Sequence, residues 1–298
     1  MGRALSAPSD TLPALGDHRF AESEVAVQTG GKSPRNHARL RRQLFVVPFF
    51  LWFVFFIIGP IYVLFTTSVS HRSPYGVVER AFDAIAYPTL AEGVYLKVLL
   101  TTLAFAVGNT VFTVLLAFPV AFLLTRVGLK TKMWLLTLVL IPFATSFLVR
   151  ILAFMDLIRG EHLGMELLYQ PAGVLMALVY NYLPFAILPL YSALEKIDPR
   201  LFDAAKDLGA SPFRVFTRVL LPLARGGLLS ASLFVFVPSL GEYLIPELVG
   251  GGRHFLLGSF LQNQFFSARN WPLGSAVIVL LVLFTFMSVR FLPEEETA

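Results

Sequence analysis

Glu242 is the only carboxylate in the long apolar stretch "LFVFVPSLGEYLIP" at 233–246. An ionisable group at such a place is by default a functional candidate. Pro238 and Pro246 flank it, so the helix is expected to break here and free backbone carbonyls. Transporters build substrate sites at such breaks. Tyr243, Tyr180 and Tyr182 could add aromatic faces for a cationic amine. The chemistry on offer is therefore electrostatic binding of a small cation. A structural reading stays open, in which Glu242 caps a helix end or pairs with an arginine across an interface, and the tyrosines pack or sit at the membrane boundary. Arg150 is either a boundary residue or the partner of an acidic group on another subunit.

Other chemistries find little support. There is no cysteine, which removes disulfides, thiol catalysis and thiolate metal sites. His18, His37, His71, His162 and His254 are scattered without metal-ligand spacing. "GGKS" at 30–33 resembles the end of a phosphate-binding loop, but Ala26 stands where that loop needs glycine, and no strand leads in. No catalytic residue, metal site or bound cofactor is expected on this chain.

The elements that must position these residues are membrane helices. Of 298 residues, 56% are hydrophobic and 14% charged, with 29 Phe and a mean hydropathy of +0.71. Soluble domains carry about 25% charged residues. Six apolar runs approach the roughly 20 residues that cross a bilayer: 44–69, 98–125, 133–155, 172–194, 226–245 and 273–289. They are apolar all round, unlike the two-faced helices of a soluble bundle. The expected fold is an all-α polytopic membrane protein with six transmembrane helices. Residues 1–43 read as a disordered cytoplasmic tail, 44–94 as the first helix and an external loop, 95–291 as the transmembrane core, and 292–298 as a second tail.

Lys and Arg set the orientation. With the N-terminus inside, the cytoplasmic segments hold seventeen and the external ones seven, as the positive-inside rule requires. Both termini are then cytoplasmic. The basic balance speaks for an anionic leaflet rather than nucleic acid. Outside, Ser70 to Val94 carries turn residues and the amphipathic "VVERAFDAIAY", placed to meet an external partner. Asp156, Glu161 and Glu166 make another external segment acidic, which suits a cationic solute, a basic docking surface or plain solvation.

The longest internal cytoplasmic loop, 195–225, is amphipathic. Asp198 and Pro199 predict a helix start, Gly209 a C-terminal turn with positive φ, Ser211 and Pro212 a second start, and Pro222 its end. Leu201, Phe202, Ala205 and Leu208 share one face of the first helix; Phe213, Phe216 and Leu220 share one of the second. The residue order here resembles the EAA loop of permease subunits of bacterial ABC importers. That loop runs Glu-Ala-Ala, three residues, Gly, nine residues, an aliphatic residue, one more, then Leu-Pro. Asp203-Ala204-Ala205, Gly209, Val219 and Leu221-Pro222 stand at those intervals, with Asp for Glu and Val for Ile.

The resemblance extends over about 44–291. It is most similar to the first permeases of spermidine/putrescine importers, through "LVR" at 148–150, "YNYLPFAILPLYSALEKID" at 180–198, "FVPSLGEYLIPELVGG" at 236–251 and "NWPLGSA" at 270–276. It implies a coupling helix pair, with Asp203, Ala204, Ala205, Gly209, Phe213, Phe216, Leu221 and Pro222 meeting a cytoplasmic ABC ATPase dimer. It also implies ATP and Mg bound in that partner, a second permease subunit, an extracytoplasmic solute-binding protein, and the bacterial inner (plasma) membrane. The expected function is polyamine import by alternating access. Other cargoes of the same subfamily, such as opine-like or amino-acid-like compounds, phosphonates or iron, stay open. An ion-coupled secondary transporter is a weaker alternative, because Glu242 is the one candidate relay and no internal duplication is visible. A membrane enzyme would need a cluster of catalytic groups at one depth, and none is visible.

Overall fold

The computed structural model describes residues 46–73, 76–79, 82, 84–159 and 166–289. The tails expected at 1–43 and 292–298, and Glu161 and His162, lie outside them. The chain divides into two compact units, 1–55 and 56–298. In the first, 46–55 are helical and largely exposed.

Among its described residues the second unit is helical apart from one small hairpin. It comprises α1 (Gly59–Ser68), strands β1 (His71–Arg72) and β2 (Val78–Glu79), α2 (Ala86–Thr89), α3 (Gly93–Arg126), α4 (Leu129–Leu140), α5 (Phe147–Ile158), α6 (Pro171–Glu195), α7 (Arg200–Asp207), α8 (Pro212–Leu223), α9 (Arg225–Leu240), α10 (Leu244–Gly250), α11 (Leu257–Gln262) and α12 (Trp271–Val289). The hairpin departs from the all-α expectation. Gly76 has φ +76° and donates its N–H to Ser73 O at 2.9 Å, and β1 pairs antiparallel with β2.

Four helices are long and apolar enough to cross a membrane: Val46–Ser68, Gly93–Arg126, Pro171–Glu195 and Trp271–Ser288. Two further candidates are bent pairs, so the described residues hold four to six spans. The run 133–155, expected as one span, is two helices, α4 and α5, at 100° to each other. The elbow is a single 3-10 turn at Ile141–Ala144, followed by extended backbone at Thr145 and Ser146. Pro142 starts that turn. The run 226–245 is also divided, because α9 ends at Leu240 and α10 begins at Leu244. By contrast, α6 runs unbroken through Pro184 and Pro189. Surrounding helices can support a proline-containing helix in this way.

The core gathers around α6, packed against α3 and α9. Small residues permit the close approach: Ala117 and Ala121 of α3, Ala177 and Ala186 of α6 and Ala231 of α9 are fully buried. A Cβ on Gly227 would lie 2.4 Å from that of Ala193, so α9 can reach α6 only with glycine there. This is the small-residue packing of membrane helices.

Candidate functional site

The chain break between α9 and α10 is built around Glu242. Its Oε1 accepts the backbone N–H groups of Leu244 at 3.1 Å and Ile245 at 3.4 Å. Those are orphan donors of the first turn of α10, so the carboxylate caps that helix. Its Oε2 accepts the hydroxyl of Tyr182 at 2.9 Å. Gly258 closes over the break: a Cβ there would stand 2.4 Å from the Glu242 carbonyl oxygen. Tyr243 is half-buried at the start of α10.

Tyr182 is 6% exposed, whereas Tyr180 is 39% exposed and stacks on Phe154, 5.3 Å between centroids and 13° between planes. The two tyrosines, named together from the sequence, thus serve different neighbours. Residues two apart on a helix point about 200° apart, which is why only Tyr182 reaches Glu242. Asn181, between them, accepts from Arg150 Nη2 at 2.9 Å. Consecutive residues Tyr180, Asn181 and Tyr182 thereby tie α6 to α5 twice and to the α9–α10 break once.

Arg150 is neither a free boundary charge nor available to another subunit through its whole fork. Nη1 donates to the Pro142 carbonyl at 2.9 Å, and the guanidinium lies over Phe143 and Phe147 at 5.1 and 5.6 Å. It straps the elbow between α4 and α5 shut. A second polar link lies beside the break: Asn109 Nδ2 donates to Ser239 Oγ at 2.7 Å, and Thr113 Oγ1 to Asn109 Oδ1 at 3.0 Å. Thr102 Oγ1 accepts the N–H of Leu257 at 2.8 Å. The sequence reading passed over Asn109 and Asn181. Their signal was an amide side chain inside an apolar run, which needs a partner in hydrocarbon.

The loop 198–223 follows its punctuation, with two adjustments. Asp198 Oδ1 accepts the N–H of Arg200 at 2.9 Å, so it caps α7, which begins at Arg200. Gly209 has φ +78°. Its N–H donates to Lys206 O at 2.8 Å and that of Ala210 to Ala205 O at 3.0 Å, the paired bonds of a Schellman ending. Ser211 precedes α8 without a side-chain cap bond. The helix ends at Leu223, one residue beyond Pro222. A π turn at Phe216–Leu220 precedes the proline. The wider turn accommodates a residue with neither an N–H nor room for the carbonyl four back. The chain then bends 68° into α9.

The two amphipathic faces are also divided differently. Phe202 is buried, and Phe216 meets Phe118 edge-on at 5.6 Å. Leu208 and Phe213, expected to pack with them, are 89% and 73% exposed. Asp203, Ala204, Leu221 and Pro222 are exposed and Ala205 is half-buried. Apolar tips therefore project from both ends of the Gly209 turn. Arg126 secures the pair from α3, its guanidinium 4.7 Å from the Phe202 ring and 4.9 Å from Phe122.

The family described as "Binding-protein-dependent transport system inner membrane component" matches residues 114–292. The spermidine/putrescine transport system permease protein PotB of Haemophilus influenzae is 34% identical over 84% of this chain and 93% of its own length. Its Escherichia coli counterpart is 32% identical over 78% of this chain and 89% of its own. Among solved structures, a chain of a bacterial alginate ABC transporter in complex with its alginate-bound periplasmic protein superposes with a TM-score of 0.60. It shares 16% identity, over 86% of this chain and 95% of that one.

Proposed function

Because the chain belongs to the family of binding-protein-dependent transport inner membrane components, we propose that the cargo of this ABC importer permease is a polyamine such as spermidine or putrescine. Relatives 32–34% identical over most of its length are spermidine/putrescine permeases. The observation that carries the reading is Glu242. A carboxylate at an interrupted span, with a tyrosine hydroxyl on one oxygen, matches a protonated amine in charge and hydrogen bonding. Tyr243 lies beside it, and Tyr180 contributes one face of the surrounding aromatic packing.

Transport is driven by ATP and Mg held in a separate ABC ATPase dimer. The α7–α8 pair is the coupling element. Its exposed Ala204, Leu208 and Phe213 enter the ATPase, while Phe202, Phe216 and Arg126 transmit motion to α3. A second permease completes the pathway, and a solute-binding protein delivers cargo from outside. We read the chain as six spans, counting each bent pair once, with both termini in the cytoplasm of a bacterium.

The test is uptake of radiolabelled spermidine and putrescine by the full importer in proteoliposomes. Glu242→Gln is expected to lower uptake about tenfold or more, the scale of one lost charge-assisted hydrogen bond, while the ATPase still co-purifies. Tyr182→Phe, which leaves the helix cap in place, should have a smaller effect. Normal polyamine uptake by Glu242→Gln would reduce Glu242 to a cap. Import of an opine or phosphonate with no polyamine uptake would overturn the cargo assignment.

A further inference from the structure

A cleft of about 500 Å³ opens between α3 and the α7–α8 pair. On α3 its wall is Phe118, Pro119 and Phe122, with Arg126 at the end of the same stripe. Residues four apart share a helix face, so this stripe runs about 12 Å from Phe118 to Arg126. The facing wall is Phe202, Val215 and Phe216. Phe118 meets Phe216 edge-on at one end of that stripe. Lys206, one turn after Phe202, lines the cleft together with Arg126.

Two features define what fits. The walls are apolar, and a volume of this size would hold on the order of fifteen waters with almost no polar groups to bond them. Among the described residues, the charged lining side chains are Arg126 and Lys206, both cations. Among the described residues Arg126 makes no hydrogen bond or ion pair, and its guanidinium is held between two rings. Lys206 is paired only with the exposed Asp203, at 3.2 Å. Two cations in the lining repel a polyamine, which separates this cleft from the pathway at Glu242.

We propose that the cleft binds an anionic phospholipid, its phosphate on Arg126 and Lys206 and the upper part of one acyl chain between the phenylalanines. Charge complementarity selects the headgroup, and the apolar depth selects a lipid over free phosphate. Basic pockets beside membrane helices hold acidic headgroups by the same physics. Assigning the lipid to the cytoplasmic leaflet rests on the orientation proposed above; the site itself does not. Because Arg126 also clamps Phe202, the lipid would brace the hinge between the coupling pair and α3.

The test is native mass spectrometry of the whole importer from nanodiscs of equal parts phosphatidylcholine and phosphatidylglycerol. Phosphatidylglycerol should be retained in preference to phosphatidylcholine. Each cation contributes about fivefold in affinity, so Arg126→Gln with Lys206→Gln should weaken retention about thirtyfold. If the double variant fails to assemble, Lys206→Gln alone leaves the aromatic clamp intact and should still lose about fivefold. Photoactivatable phosphatidylglycerol should label the peptides that carry Phe118, Phe122 and Phe216. Equal retention of both lipids, unchanged retention in the variants, or labelling elsewhere would each overturn the proposal. Retention of phosphatidylglycerol in a protein whose Lys130→Cys thiol is reached from outside the cell would overturn the orientation and leave the site standing.

Discussion

The sequence Tyr180-Asn181-Tyr182 serves three separate contacts: a stack on Phe154, an acceptor for Arg150 and a donor to Glu242. Arg150 is the more demanding partner, because it bridges Pro142 O and Asn181 Oδ1 while lying over Phe143 and Phe147. A planar fork can do this; an ammonium on a single stem cannot. Arg150→Lys should therefore lose one bridge and the ring contact, lowering the stability of the purified subunit by about 1 kcal/mol, the scale of polar contacts between membrane helices. Thermal unfolding in detergent measures it, and Asn181→Ala in the Arg150→Lys background should add little. Full additivity would mean that the two residues act separately. Glu242 was legible in the sequence because charge in an apolar run stands out. Asn181 was not, because it was hidden between two aromatics that attracted the functional reading.

Among the elements, the apolar runs gave the helices well, but composition carries no direction. Nothing in the greasy sequence of 133–155 states that α4 and α5 meet at 100°; that angle is set by the turn at Pro142 and by Arg150 drawing the two ends together. Punctuation was more informative where backbone geometry is restrictive. Gly209 was expected at positive φ and is there, at +78°. Pro222 was expected to end α8, which stops one residue later, at Leu223, after a π turn that makes room for the ring. Two glycines yield opposite kinds of prediction. At Gly209 no neighbour stands within 4 Å of a Cβ, so Gly209→Ala pays only the left-handed backbone cost of roughly 1–2 kcal/mol. It should loosen the α7–α8 turn and lower the coupling of ATP hydrolysis to uptake without lowering expression. At Gly258 a Cβ would strike the Glu242 backbone. Gly258→Ala should therefore displace the capped break, cost about 1–3 kcal/mol and impair uptake more than ATPase binding. Uptake and hydrolysis measured on the same vesicles separate the two effects.

For the molecule as a whole, the sequence speaks through charge. Seventeen Lys and Arg fall on one side of the proposed spans and seven on the other, and the side richer in cations also carries the α7–α8 pair and the basic cleft. The two bent pairs make this more than a matter of counting. If 129–158 were a re-entrant hairpin instead of a span, every later segment would change sides, and α7–α8 would face away from any cytoplasmic ATPase. Absence of cysteine provides a clean test, since one introduced thiol is the only one present in this subunit. Glu79 and Lys130 are exposed and lie before and after α3. Glu79→Cys should react with a membrane-impermeant maleimide in intact spheroplasts, and Lys130→Cys only after permeabilisation. Phe213→Cys decides the rest. It should stay unreactive in permeabilised membranes while the ATPase is bound and become reactive when the ATPase is stripped away. Labelling of Phe213→Cys from outside would show that 129–158 does not cross, and would remove the coupling role from the one surface whose exposed Leu208 and Phe213 suit it.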